Sequence, residues 1–253
     1  GRLAKPGLGL ADETRRALRR EADMVVHAGA EGSCLNNYDS VRVQNVESTK
    51  FLAGLALARK VPFHYISSAR VVLFSGGDSY RERPVSAHYP PAALGREGFT
   101  STKWASEVFL EGCAAATGLP VSVHRTGYLM SEDADEMDAV NMIHKYSAAL
   151  GAVPPLATFS GFLDMCDLPA AAEAVLASLT DGGGGGGGVS YGATRIVHHT
   201  EGNAVPVQGF RAHMEARSGR PFESLAMGDW AARAEEKGMS PVLAAFLGAV
   251  VDR

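Results

Sequence analysis

The chain has 253 residues, 46% hydrophobic and 21% charged. That is the balance of an ordinary globular protein, long enough to bury a sizeable core in one large domain or two small ones. A formal net charge of -4, from 24 basic against 28 acidic residues, argues against a nucleic-acid-binding surface and gives no reason to invoke a membrane partner. No apolar stretch approaches the ~20 residues of a membrane span, and no basic-then-apolar start marks a secretory signal. The 3 cysteines, Cys34, Cys113 and Cys166, are widely spaced. With no CxxC or Cys/His cluster, they predict small buried hydrophobes in a reducing, cytoplasmic setting and no metal site. The chain opens on Gly1 rather than Met, so it is expected to be a piece of a longer protein.

In chain order, ADETRRALRREA (11–22) predicts a helix whose acidic start suits the helix dipole. DMVVHAGA (23–30) predicts a buried strand running into a loop, and residues 38–60 a long helix. PFHYISS (62–68) is the next strand, followed over 72–98 by a loop rich in Gly, Pro and Ser. FTSTKWASEVFLEGCAAAT (99–117) predicts a helix closed by Gly118, and PVSVHRTG (120–127) a third strand. Helices are expected over 136–150, 168–179, 205–219 and 229–238, and a strand over 189–195. The glycine run 182–188 reads as a surface loop or insertion, because it lacks a GxGxxG or GxxxxGK pattern opening a helix. Strands alternating with helices predict β-α-β units and a mostly parallel sheet, with the site at the carboxyl ends of the strands.

Those strand ends carry HAGA, SSAR and HRTG. Phe99 and Lys103 lie four residues apart and share one helix face. With Ser67 and Ser68 ending the preceding strand, a hydroxyl, an aromatic ring and a lysine are expected to meet in one crevice.

These motifs resemble an extended short-chain dehydrogenase/reductase. More narrowly, the chain is similar to the thioester reductase domains that end many nonribosomal peptide and polyketide synthases, the fungal polyketide–peptide hybrids above all. DMVVHAGAEGSCLNNYDSVRVQNVESTKFLAGLA stands for the family's strand, His-x-x-Ala turn and Asn-Val-x-x-Thr helix. FHYISSARV stands for its catalytic Ser/Thr strand, GFTSTKWASEVFLE for its Tyr-x-x-x-Lys-Trp helix, VHRTGYL for Arg-Pro-Gly, and FLDMCDLPAAAEAVL for the start of the substrate side.

The resemblance implies a Rossmann-like, doubly wound parallel sheet, N-terminally truncated, with a small, mostly helical C-terminal substrate segment. Residues 1–127 would be the NAD(P)-binding core without its first βα unit, and 128–253 the rest of the core plus the substrate side. It implies that Ser68 hydrogen-bonds the substrate carbonyl, and that Lys103 holds the nicotinamide ribose and tunes a phenol at position 99. His27, Gly29 and Ala30 would lie beside the adenosine, Asn45 near the lysine, and Arg125 and Gly127 by the nicotinamide. The implied cofactor is NADPH, and the implied partner a phosphopantetheinyl carrier protein bearing an acyl or peptidyl thioester. Met137, Met142 and Tyr146 are candidates for an acyl pocket, although their helical spacing reads more readily as core.

Three departures stand against this pattern. Phe99 has no hydroxyl, and loss of a general acid costs ~10²–10⁴ in rate; Tyr80 and Tyr89, in the preceding loop, are the tyrosines that could approach. The family's phosphate-binding turn is expected upstream of residue 1, so this chain is expected to hold a dinucleotide poorly. Arg2 replaces the Asp of the family's Gly-Asp-Leu turn near the adenine. Three readings follow: NADPH-dependent reduction of a carrier-bound thioester to an aldehyde, redox-inactive Dieckmann-type cyclisation to a tetramic acid, and a non-catalytic remnant. The first is the expectation at family level, and Phe99 points to the second.

Overall fold

The computed structural model describes residues 1–33, 35–73, 81–88, 98–156, 161–180, 188–200 and 204–251. The expectations for Cys34, Tyr80, Tyr89 and glycines 182–187 lie outside the described residues.

α1 (Asp12–Glu21) carries Asp12 and Glu13 in its first turn and Arg19 and Arg20 in its last, the charge order the helix dipole favours. β1 (Val25–His27) follows. The helix expected over 38–60 runs from Tyr38 to Leu57 with helical backbone at each junction, as α2 (Tyr38–Arg42), a π-helical turn (Val43–Glu47) and α3 (Ser48–Leu57). Asn37 caps α2 by accepting from the backbone N–H of Ser40. Next come β2 (Phe63–Ser68), α4 (Arg70–Leu73), α5 (Val85–His88), α6 (Gly98–Thr117) and β3 (Val121–Thr126). They are followed by β4 (Tyr128–Met130), α7 (Ala139–Leu150), β5 (Ala152–Val153), β6 (Phe162–Asp167) and α8 (Leu168–Thr180).

The strand expected over 189–195 is instead a hairpin, β7 (Val189–Tyr191) and β8 (Thr194–His199). Gly192 turns it at φ 60, a left-handed value that glycine adopts without strain. The helix expected over 205–219 begins late. β9 (Ala204–Pro206) and a 3-10 turn precede α9 (Phe210–Ser218), because Pro206 sits in an extended conformation. β10 (Glu223–Ser224), α10 (Met227–Glu236) and α11 (Pro241–Val251) complete the order. No helix among the described residues is long and apolar enough to cross a membrane.

The chain divides into two compact units: residues 1–127 with 169–199, and 128–168 with 200–253. In the first, strands run in the order β1-β2-β3-β8-β7, with β1, β2, β3 and β8 parallel and β7 antiparallel. Side chains alternate across the sheet with period two. Phe63, Tyr65, Val121, Val123 and Ile196 face Ala53 and Ala56 of α3 and Leu110 and Ala114 of α6 in one apolar core. The other face meets α8, where Ser178 reaches His124. Helices on both faces of a parallel sheet make this the expected Rossmann-like α/β fold. β1 lies at the sheet's edge, and Val26 is 45% exposed.

In the second unit, β6 pairs parallel with β4 and antiparallel with β9, and β5 pairs with β10. Met142 and Tyr146 of α7 are buried with Trp230, whose Nε1 donates to the Ala152 carbonyl at 3.1 Å.

α6 is seated by Gly98. Its N–H donates to the Asn36 carbonyl at 2.9 Å, and a Cβ there would lie 2.5 Å from the backbone carbon and oxygen of Asn37. Gly98→Ala is therefore expected to destabilise the protein by ~1–3 kcal/mol, the range of overpacking against immovable backbone. A urea-unfolding midpoint equal to wild type would contradict this.

Candidate active site

The carboxyl ends of β1, β2 and β3 and the first turns of α6 assemble the candidate site. Ser68 ends β2, is buried, and its Oγ accepts from the backbone N–H of Arg70 at 3.3 Å. Lys103, on α6, is 3% exposed, and its Nζ donates to the Ile66 carbonyl at 2.6 Å. The same Nζ stands 4.8 Å from the Tyr65 ring centroid and 5.6 Å from that of Phe99. Arg70, one residue beyond the β2 turn, places its guanidinium carbon 5.5 Å from the Phe99 centroid. Phe99 thus has two cations within reach of its ring, an arrangement the ring quadrupole favours. Where a phenol would offer an O–H, the site offers positive charge and an apolar ring.

Burial lowers the Lys103 ammonium to about 8, opposed by the negative charge of Glu107. Arg70 was not among the residues the sequence singled out. Its signal was its place two residues after Ser68.

The remaining predicted residues divide. Asn45 sits in the π-helical turn, exchanges hydrogen bonds with the backbone of Glu31 at 2.7 and 3.0 Å, and donates to Thr102 Oγ1 at 2.9 Å. It therefore ties the β1 loop to the residue next to Lys103. His27 is buried, with Nε2 3.1 Å from Thr49 Oγ1 and 3.4 Å from Ser48 Oγ. Burial, then the charge of Lys103, lowers it to about 4, so it is neutral at pH 7. Gly29 is exposed, but a Cβ there would meet Leu3 Cδ1 at 3.1 Å, and Ala30 is half-buried. Arg125 is fully buried. It holds Glu107 through Nε and Nη2, donates to the Arg83 carbonyl at 2.9 Å, and lies 3.1 Å from His198 Nε2. Gly127 is buried and donates its N–H to the His199 carbonyl at 3.3 Å. Arg2 is exposed, in the turn before the first 3-10 helix.

Lys103 could hold a ribose hydroxyl with its remaining N–H donors. A Cβ at Gly29 would meet Leu3, and the Arg125 guanidinium is held by Glu107.

The parallel sheet, the Ser68 strand end and the Lys103 helix define an extended short-chain dehydrogenase/reductase-type domain. Residues 1–168 match the NAD-binding family described as male sterility protein, and the chain belongs to that family. It is 40% identical over 251 residues to the hybrid PKS-NRPS synthetase apdA of Emericella nidulans, covering 99% of this chain and 6% of the relative. It is 40% identical over 255 residues to cyclo-acetoacetyl-L-tryptophan synthase of Aspergillus oryzae, covering 100% of this chain and 6% of that protein. The chain therefore spans a small part of the length of these relatives. The crystal structure of the terminal R domain from the myxalamid PKS-NRPS biosynthetic pathway shares the fold. Its TM-score is 0.72 at 22% identity, over 98% of this chain and 61% of that one.

Proposed function

We propose that this chain is a chain-release domain of a multimodular synthase, and that it releases its thioester by Dieckmann-type cyclisation without a hydride. One observation carries the choice: the ring beside Lys103 and Arg70 is that of Phe99 and has no proton to give. The partner is a phosphopantetheinyl carrier protein bearing an N-acylaminoacyl thioester, and residues 128–168 with 200–253 form the substrate side. A relative named for a cyclised acyl-amino acid product supports this reading.

The chemistry balances without redox. The acidic carbon between the two carbonyls of a β-ketoacyl amide loses a proton. The resulting carbanion attacks the thioester carbonyl, so that a C–C bond forms and the C–S bond breaks. The pantetheine sulfur leaves as thiolate and takes up a proton. Negative charge develops on the enolate and on the tetrahedral oxygen. Fixed positive charge at Arg70 and Lys103 and the Ser68 hydroxyl stabilise it by electrostatic preorganisation.

The second reading, NADPH-dependent reduction to an aldehyde, is favoured by the NAD-binding family. The test supplies the full chain with the pantetheine thioester of acetoacetyl-L-tryptophan and NADPH, following absorbance at the nicotinamide band and product mass. A cyclised product with NADPH untouched is expected. Aldehyde with NADPH consumed would overturn cyclisation, and no release of either kind would leave the remnant reading. Phe99→Tyr is expected to leave the rate of cyclisation within a few-fold of wild type, since no step draws a proton from position 99. A gain of ~10²-fold or more in NADPH consumption, the size of a restored general acid, would favour reduction.

A further inference from the structure

The face of the parallel sheet opposite the apolar core carries an unusual feature: three histidines in direct contact across three strands. His64 of β2 places Nδ1 3.0 Å from Nε2 of His124 on β3, and His124 Nδ1 lies 2.9 Å from Nε2 of His199 on β8. Their rings stack at 5.3 and 5.2 Å, with interplanar angles of 22° and 28°. The register makes the chain diagonal. His64 pairs with Ser122, two residues before His124, and His124 pairs with Val197, two residues before His199. Each step therefore climbs two residues toward the carboxyl ends of the strands. His64 and His124 are buried, and His199, at the top, is half-buried.

The top of the chain reaches the row of the candidate site. Ser68 pairs with Thr126, and Thr126 pairs with His199, so the three stand side by side at one level of the sheet. Period-two alternation places His199 on the same face as Ser68. Two strand spacings separate them, roughly 10 Å between Cα atoms.

Hydrogen-bond chemistry restricts the states of such a chain. A neutral imidazole has one N–H and one bare nitrogen. With both nitrogens of His124 facing ring nitrogens, the N–H groups must all point the same way. In one state His199 Nε2–H donates to His124, His124 Nε2–H donates to His64, and His199 Nδ1 carries no hydrogen. In the other every proton has shifted by one nitrogen, and His64 Nδ1–H donates upward. Passing from the first state to the second takes up one proton at His199 Nδ1 and releases one at His64 Nε2. The reverse passage delivers a proton at His199. No ring need hold a lasting charge.

The surroundings favour this neutral form. Burial lowers all three histidines, His124 to about 3, and the positive charge of Arg195 on β8 acts in the same direction on each. From α8, Ser178 Oγ stands 3.4 Å from His124 Nδ1 while donating to the Val175 carbonyl at 2.7 Å. His198 lies on the opposite face, against Arg125.

We propose that His64, His124 and His199 form a proton relay that takes up the proton lost by the substrate carbon at His199 and returns one to the departing thiolate. This rests on the cyclisation reading, in which Phe99 leaves the site without the phenol that would otherwise handle protons. His199 is the residue that meets the substrate; His124 and His64 act through it.

The test uses the full chain and the pantetheine thioester of acetoacetyl-L-tryptophan, measuring product mass, kcat, KM, the solvent deuterium isotope effect and the thermal midpoint. His124→Gln keeps an amide able to hydrogen-bond both neighbours but cannot exchange tautomers. It is expected to lower kcat roughly 10²-fold, the scale of a lost acid–base function, with KM and the thermal midpoint close to wild type. His199→Ala is expected to lose a similar factor and to recover kcat saturably with added imidazole, in proportion to the neutral base. Wild-type kcat in His124→Gln, an unchanged solvent isotope effect, or loss without imidazole rescue would overturn the relay. The cyclisation reading falls separately: an aldehyde from the wild-type chain would sink it, whatever the variants do. No release from the wild-type chain overturns both.

Discussion

Glu107→Ala is expected to destabilise the parallel-sheet unit by ~3–5 kcal/mol, the cost of leaving a buried charge without its partner. Arg125 and Glu107 are both fully buried, with Nη2 to Oε2 at 2.7 Å and Nε 3.2 Å from each carboxylate oxygen. Ser67 Oγ donates to the same carboxylate. The pair joins β3 to α6 one turn beyond Lys103, so its loss also loosens the helix that holds the site. Glu107→Gln keeps the volume and one acceptor and is expected to cost less than Glu107→Ala. The double variant Glu107→Leu/Arg125→Met removes both charges and is expected to recover a large part of the loss, because a buried pair and an apolar pair of similar volume are often equivalent. Urea denaturation of the four proteins measures this. A double variant no more stable than Glu107→Ala would show that the pair does more than cancel its own burial.

Lys103→Met is expected to lower the rate of release by ~10²–10³-fold, the scale of removing one preorganised charge from a developing oxyanion. Methionine preserves the stem's packing, so the loss reports the ammonium. Lys103→Arg is not expected to rescue, since a planar guanidinium does not fit a point contact to the Ile66 carbonyl beneath an aromatic ring. The sign of the pH dependence follows from burial. Lys103 is lowered from 10.5 to about 8. The rate advantage of wild type over Lys103→Met should therefore be full below pH 8 and fade as pH rises through it. Stability moves the other way. Between about 8 and 10.5 the unfolded chain binds the proton and the folded one does not, so folding gains as pH rises across that window. A rate advantage that grew with pH would exclude the ammonium as the active form.

Much of this was legible without coordinates. The run PFHYISS reads as a strand and forms β2, and the four-residue spacing of Phe99 and Lys103 on a helix puts both on one face. Signals of that kind are local, because backbone periodicity acts over a few residues. What escaped was of two kinds. Element boundaries moved where one residue overrode the pattern, as Gly192 and Pro206 did. Partnerships across the sheet were invisible, as with the buried ion pair of Arg125 on β3 and Glu107 on α6.

The sequence by itself determined the alternation of strands and helices, the family resemblance and the absence of a hydroxyl at position 99. Only the tertiary structure decided that Arg70 and Lys103 flank the Phe99 ring, and that His64, His124 and His199, separated by 60 and 75 residues, stand nitrogen to nitrogen. The reason is register. Which residues of parallel strands meet depends on how distant segments align, and a slip of one residue turns every side chain to the other face.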